Sequence, residues 1–137
     1  MDRNRKNKSE LEALLIDSEE ADIDKRLREV LEGKVAFDRT SGRLVVRPGL
    51  FALGQRERVL VLLLGRHALV RLGLPDACLE VDPAVLAEQA QVPLKNCREY
   101  LSRLKSKRIV EKKARGYALP TWNILLIADE LKTPIKE

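Results

Sequence analysis

The sequence predicts an α+β fold, mainly helical, and three observations predict it. The segment 55–73 has a middle, VLVLLL, that is apolar on every side, which marks a helix buried all round. Two pairs of short apolar runs, each pair split by a turn-rich stretch, mark two β-hairpins. Between residues 81 and 110 lie a short apolar-patterned segment, a break at Gln91-Val92-Pro93, and a second segment dense in Lys and Arg. That pattern predicts two helices back to back. The 137 residues suffice for one domain and an extension. Apolar residues make up 45% and aromatics only 4%, so the core must be built from Leu, Val, Ile and Ala.

Residues 1–8 are polar and charged and predict a disordered basic tail. Residues 9–49 read as an N-terminal helical extension and a β-hairpin. Leu11, Leu14 and Leu15 share one helical face, and Ile23, Leu27, Val30 and Leu31 share another. The acidic run DSEEADID between them is a candidate break, with Ser18 or Asp22 capping a second helix. Gly33 reads as the stop. VAF (35–37) and LVV (44–46) flank DRTSGR, a hairpin turn with Gly42 placed for positive φ, and Pro48-Gly49 ends it.

Residues 50–120 read as the main domain. It starts with the buried helix and a short extended piece, Leu79-Glu80-Val81. Asp82 as N-cap and Pro83 at the first helical position then open a short helix. A second helix covers 93–107. IVEKK (109–113), a turn at Ala114-Arg115-Gly116, and YALP (117–120) make the second hairpin. Thr121 caps a final apolar helix within 121–137. There is no internal repeat and no low-complexity tract.

Charge distinguishes one part of the chain from the rest. The formal net charge is +5. Residues 93–116 hold nine basic and two acidic residues, a local +7, against seventeen basic and nineteen acidic elsewhere. Positive charge gathered in one stretch is the footprint of a surface that meets a polyanion. At 100° per residue, Cys97, Leu101 and Leu104 fall in one narrow sector, the expected buried stripe. The opposite side carries Lys95, Glu99, Ser102 and Ser106, flanked by Asn96 and Arg103, with Arg98 and Lys105 at one edge and Lys107 at the other. Lys95 and Asn96 open the helix, where unsatisfied N–H groups and the helix dipole favour phosphate.

The order helix, short strand, helix, tight break, helix, basic hairpin resembles the winged helix-turn-helix family of bacterial and archaeal transcription regulators. The residues that carry the resemblance are Leu86-Ala87, a three-residue gap, Gln91-Val92-Pro93, Asn96-Cys97, Leu101 and Leu104. It covers 55–120, roughly half the chain. The resemblance implies a double-stranded DNA-binding transcription regulator with a recognition helix at 93–107 and a wing at 109–120. Lys95, Asn96, Arg98, Glu99, Ser102 and Arg103 would face the groove, and Lys112, Lys113 and Arg115 would touch backbone or minor groove from the wing. Asn pairs with adenine, Arg or Lys with guanine, and Glu99 could accept from cytosine or repel the phosphates. Two positions depart from the family. Gln91 stands where Gly is common, at a cost of roughly 1–2 kcal/mol if the left-handed backbone is kept. Pro93 stands where a Ser or Thr cap is common. The second reading is a winged-helix protein-interaction module, an adaptor in a larger nucleic-acid-processing complex; RNA binding is the third.

Other classes find little support. The sequence offers no Gly-rich phosphate loop, no nucleophile–base pair and no metal-ligand cluster, so neither an enzyme nor a cofactor or metal is expected. His67 is the only histidine, and the acidic run 17–24 lacks the glycine and terminal Glu of a calcium loop. Cys97 lies on the core stripe and Cys78 precedes the extended piece; two cysteines without a CxxC predict free thiols. Trp122 and Tyr117 read as packing residues rather than stacking platforms. The basic start is not followed by an apolar run of the secretory type. The stretch 59–74 is cut by Arg66, His67 and Arg71, so no membrane span is expected and a soluble cytoplasmic protein follows. The final helix carries Trp122, Ile124, Leu125, Leu126, Ile127 and Leu131, more apolar surface than one packing face needs. That surplus predicts a homodimer through this helix, the N-terminal helix, or both.

Overall fold

The computed structural model describes residues 18–75 and 77–132. The expected tail at 1–8 and the face of Leu11, Leu14 and Leu15 lie outside the described residues. The fold is α+β and mostly helical. Helix α1 (Ser18–Leu31) leads to a hairpin of β1 (Val35–Phe37) and β2 (Leu44–Val46) and a 3₁₀ turn (Pro48–Ala52). Then come α2 (Gln55–Arg71), α3 (Pro83–Ala90), α4 (Leu94–Ser106), the hairpin of β3 (Glu111–Lys113) and β4 (Gly116–Ala118), a 3₁₀ turn (Thr121–Asn123) and α5 (Ile124–Lys132).

Helix α2 is the centre. Val59 to Leu64 are all fully buried, as the all-round apolar middle demands. Each buried Leu or Val contributes about 1.5–3 kcal/mol of transfer free energy. Around α2 one core gathers Leu27, Val30 and Leu31 of α1, Leu86 and Ala90 of α3, the α4 stripe, and Ile124, Ile127 and Ala128 of α5. Helix α1 packs on both α2 and α5. Arg26 pairs with Asp129, Arg71 with Asp24 (2.6 Å) and Arg56 with Glu130 (3.1 Å), tying the three helices at their rims.

Both expected hairpins form, each antiparallel, with Val35 opposite Val46 and Lys112 opposite Tyr117. Asp38 holds the first turn: its Oδ1 accepts from the Thr40 (2.9 Å) and Ser41 (3.4 Å) N–H groups, and these bonds hold its pKa below the ordinary value. Gly42 takes φ 73, as its place in that turn requires.

Three expectations need correction. No break falls within residues 18–24 of the acidic run: α1 passes through Asp22 without interruption, so Asp22 is not the cap, while a break ahead of Ser18 lies outside the described residues. Thr121 caps nothing either. It opens a 3₁₀ turn whose N-cap is Pro120, without a side-chain cap bond, and α5 starts only at Ile124. The buried helix ends at Arg71, two residues short of Gly73.

Candidate nucleic-acid interface

Helix α3 is opened as expected. Asp82 Oδ1 accepts from the Ala84 N–H at 2.7 Å, and Pro83 supplies a preset φ. It ends in a left-handed residue: Gln91 sits at φ 54, ψ 53. The left-handed cost at Gln91 is therefore incurred. It is offset because the turn closes with Gln91 N–H on Glu88 O (3.2 Å) and Val92 N–H on Ala87 O (3.0 Å), which buries Val92. Arg58 of α2 clamps the same corner, donating from Nε to Leu53 O (3.0 Å) and from Nη1 to Ala90 O (3.3 Å). Its guanidinium also lies 5.3 Å from the centre of the Phe51 ring.

Helix α4 then starts at Leu94 with Pro93 as N-cap and no side-chain cap bond. Cys97 and Leu101 are fully buried and Leu104 is 2% exposed, so the phase read from the sequence holds. The Cys97 Sγ lies 3.6 Å from Pro83 O, and burial raises its pKa, with Arg98 opposing. This thiol is a packing group.

The α4 helix ends as α3 does. Arg108 takes φ 63, with its N–H on Lys105 O (2.9 Å) and the Ile109 N–H on Leu104 O (2.8 Å). That reversal launches the second hairpin. Asn123, 8% exposed, holds it from behind: its Nδ2 donates to Arg108 O (3.2 Å) and Ile109 O (3.0 Å). The hairpin is docked by Val81, which exchanges both backbone hydrogen bonds with Tyr117 at 2.9 Å. Of the extended piece expected at 79–81, only Val81 pairs. Gly116 has φ 148, and a Cβ there would overlap the Val81 carbonyl, so only glycine permits this approach.

This framework places the candidate residues. Lys95, Arg98, Glu99, Ser102 and Arg103 are exposed on α4, and Lys112, Lys113 and Arg115 are exposed on the hairpin. Arg98 joins Lys112, Lys113 and Arg115 along one cleft of about 390 Å³ beside the start of α3, with Asp82 as its carboxylate. The cleft does not extend to Lys95, Asn96, Glu99, Ser102 or Arg103. Asn96 is only half-exposed; its Nδ2 donates to Gln55 Oε1 at 3.2 Å, and the Tyr100 hydroxyl donates to the same oxygen at 3.1 Å. This three-residue knot seats α4 on the start of α2. Nothing in the sequence signalled it, because its partners are more than forty residues apart. Glu99 pairs with Arg103 (3.4 Å) and Glu111 with Lys113 (3.2 Å). Lys95, Arg98, Lys105, Lys107, Arg108, Lys112 and Arg115 have no ion-pair partner among the described residues. The Arg115 backbone N–H is held by Glu80 Oε1 at 3.0 Å.

Other expectations fare differently. Trp122 is no packing residue; it is 72% exposed, while Tyr117 does pack on the core. Three of the six apolar residues offered for self-association are spent inside the chain. Ile124 and Ile127 are buried, Leu131 packs on the core, Leu125 is half-buried, and Trp122 and Leu126 stay exposed. His67 is buried against the Leu119 carbonyl, to which its Nε2–H donates, and burial lowers its pKa. Among the described residues no three His, Cys, Asp or Glu side chains gather as a metal site would need, and no helix is long and apolar enough to cross a membrane. Compared with family models, characterised proteins and solved structures, the chain matches none.

Proposed function

We propose that the chain binds double-stranded DNA as a winged helix-turn-helix transcription regulator, with α4 in the major groove and the β3–β4 hairpin as the wing. One observation carries the reading. Seven cations on α4, the reversal after it and the hairpin have no carboxylate partner among the described residues, and they lie on one continuous run of chain. Fixed cations held near one another without counter-charge repel, and a phosphate backbone relieves that repulsion while releasing its own counterions. The uncapped start of α4 adds unsatisfied N–H groups beside Lys95. Lys112, Lys113 and Arg115 reach phosphate, Arg98 spans both surfaces, and Lys95 and Ser102 are the exposed candidates for base edges. Asn96, bonded to Gln55, reads a base only by giving up that bond. This reading does not depend on the homodimer expected from the sequence; Leu126 of α5 and the neighbouring Trp122 stay exposed, and most of the N-terminal segment offered for it lies outside the described residues.

One observation favours the adaptor reading: Glu99 sits in the middle of the α4 face and takes Arg103 as its partner. Titration of random duplex DNA between about 50 and 200 mM salt separates the two. A DNA binder shows affinity falling linearly on a log–log plot. Lys112→Ala with Lys113→Ala should reduce that slope by roughly 1–2 units and weaken all duplexes about equally. Absence of salt-dependent duplex binding replaces the regulator with the adaptor.

A further inference from the structure

The second hairpin borders two clefts. One is the Arg98 cleft described above. The other, about 570 Å³, lies between the end of α4, strand β3 and the 3₁₀ turn, and its lining includes Lys105, Arg108, Lys112, Lys113 and Trp122. Its one carboxylate, Glu111, is engaged by Lys113 at 3.2 Å. The indole here is the chain's single tryptophan, 72% exposed in a protein with 4% aromatic residues.

That exposure is not slack. The turn carrying Trp122 is fixed on both sides: Leu119 before it is 1% exposed, and after it Asn123 is bonded to two carbonyls of the α4–β3 reversal and Ile124 is 1% exposed. The backbone is pinned to the core while the largest side chain of the chain stays in water, beside four cations. An exposed ring set among cations matches two parts of a nucleotide at once. The π-face takes a base, and the ammonium and guanidinium groups take the phosphates. A base inside a duplex has no free face to offer, so the ligand must present an unpaired base.

We propose that this cleft binds a single-stranded nucleic-acid segment, with one unpaired base stacked on Trp122 and its flanking phosphates on Lys105, Arg108 and the wing lysines. Self-association through Trp122 and Leu126 is disfavoured by the same surroundings, since a two-fold contact at Trp122 sets each copy's cations against the other's. The inference does not rest on duplex recognition by the α4 face, although Lys112 and Lys113 border both clefts.

Because Trp122 is the only tryptophan, its fluorescence reports on this cleft alone. The full chain is titrated with an oligothymidylate of about 12 nucleotides. We expect saturable quenching that weakens with salt. Anisotropy of the labelled strand should show Trp122→Ala binding on the order of tenfold more weakly, while Trp122→Phe retains most affinity. Unchanged melting of both variants shows that they fold. Strand binding without a change in tryptophan emission, or with Trp122→Ala equal to the parent, overturns the proposal. So does an emission shift that follows protein concentration alone, with a dimer in sedimentation; that result assigns the patch to self-association. Duplex affinity of Arg98→Ala tests the proposed function separately, since Arg98 does not line this cleft.

Discussion

Helix α2 carries four cationic residues, Arg56, Arg58, Arg66 and Arg71, and helix α4 also carries four, Lys95, Arg98, Arg103 and Lys105. On α2 three of the four are tied into the fold. Arg56 reaches Glu130, Arg71 reaches Asp24, and Arg58 holds two backbone carbonyls. Arg66 is the exception: burial lowers its pKa, and its buried Nε has no hydrogen-bond partner among the described residues. On α4 only Arg103 has an ion pair, and that pair is within its own helix. The difference teaches which charges build the molecule and which are left over for something else. A cation that organises backbone or joins helices explains itself. A row of cations that does neither is what the proposed DNA contact draws on.

The largest test concerns the two sides of α4. Its outer face carries the unpaired charge because its inner face is closed around Cys97. Cys97→Asp buries a carboxylate with no cation facing it from the core and should cost more than about 3 kcal/mol, enough to unfold the domain in a urea melt. Cys97→Val keeps the site apolar, adding one methyl group and losing the weak S–H contact to Pro83 O, and should shift stability by less than about 1.5 kcal/mol. A folded Cys97→Asp variant with an unchanged midpoint would place this residue outside the core and remove the basis for the outer face.

Much of this contrast could be read in the sequence. Periodicity places Cys97, Leu101 and Leu104 inside, because burial on a helix repeats at a fixed angle. Both hairpins were legible because turn chemistry is local: Asp38 bonds within three residues, and Gly42 supplies the positive φ. What was illegible depends on distant partners. The Gln55–Asn96–Tyr100 knot joins the starts of two helices, and the Asn123 clamp joins a 3₁₀ turn to a reversal fourteen and fifteen residues away. Neither leaves a periodic or local trace. The left-handed residue Arg108 was obscured for a different reason, whereas Gln91 was marked by the resemblance alone. Glycine is the usual sign of such a turn, and neither position has one; Val92 directly after Gln91 and Val110 two residues after Arg108 are buried instead. Trp122 was misread because a tryptophan beside an apolar helix is expected to be buried with it. Only the position of the pinned turn shows that it is not.

A second test sharpens the α2 side through pH. His67 is held neutral in the native state: burial lowers its pKa, and its Nε2–H donates to Leu119 O. In the unfolded chain it takes up a proton near its ordinary value of 6.5. The unfolded state therefore binds more protons below that pH. Stability from this group is fully present above 6.5 and is lost as pH falls from there toward the depressed native value. Each unit of that descent costs up to about 1.4 kcal/mol while the native imidazole stays neutral. His67→Gln keeps a donor and removes the titration, so its stability between about pH 7 and pH 5 should be nearly flat where the parent's falls. Parallel curves for the two proteins would mean that His67 is solvated and α2 less tightly closed than its burial indicates.

The smallest effect bears most directly on what α4 is for. Glu99 and Arg103 form an i,i+4 pair at 3.4 Å with side chains 59% and 68% exposed. Such pairs contribute little, so Glu99→Gln should change stability by no more than about 0.5 kcal/mol. Its effect on binding has two possible signs, and each means something different. If the face meets only phosphate, the substitution removes a repulsive charge and releases Arg103. Random duplex should then bind more tightly, with a salt slope steeper by up to about 1 unit. If Glu99 instead accepts a hydrogen bond from a cytosine amine, a selected site should weaken by on the order of 1–3 kcal/mol while random duplex still tightens. Titrating one variant on two duplexes thus tells whether the single carboxylate on this cationic face restrains non-specific binding or reads sequence. No change on either duplex would show that α4 does not enter the groove, and the unpaired cations would then have to be explained by the single-strand cleft or by an acidic protein partner.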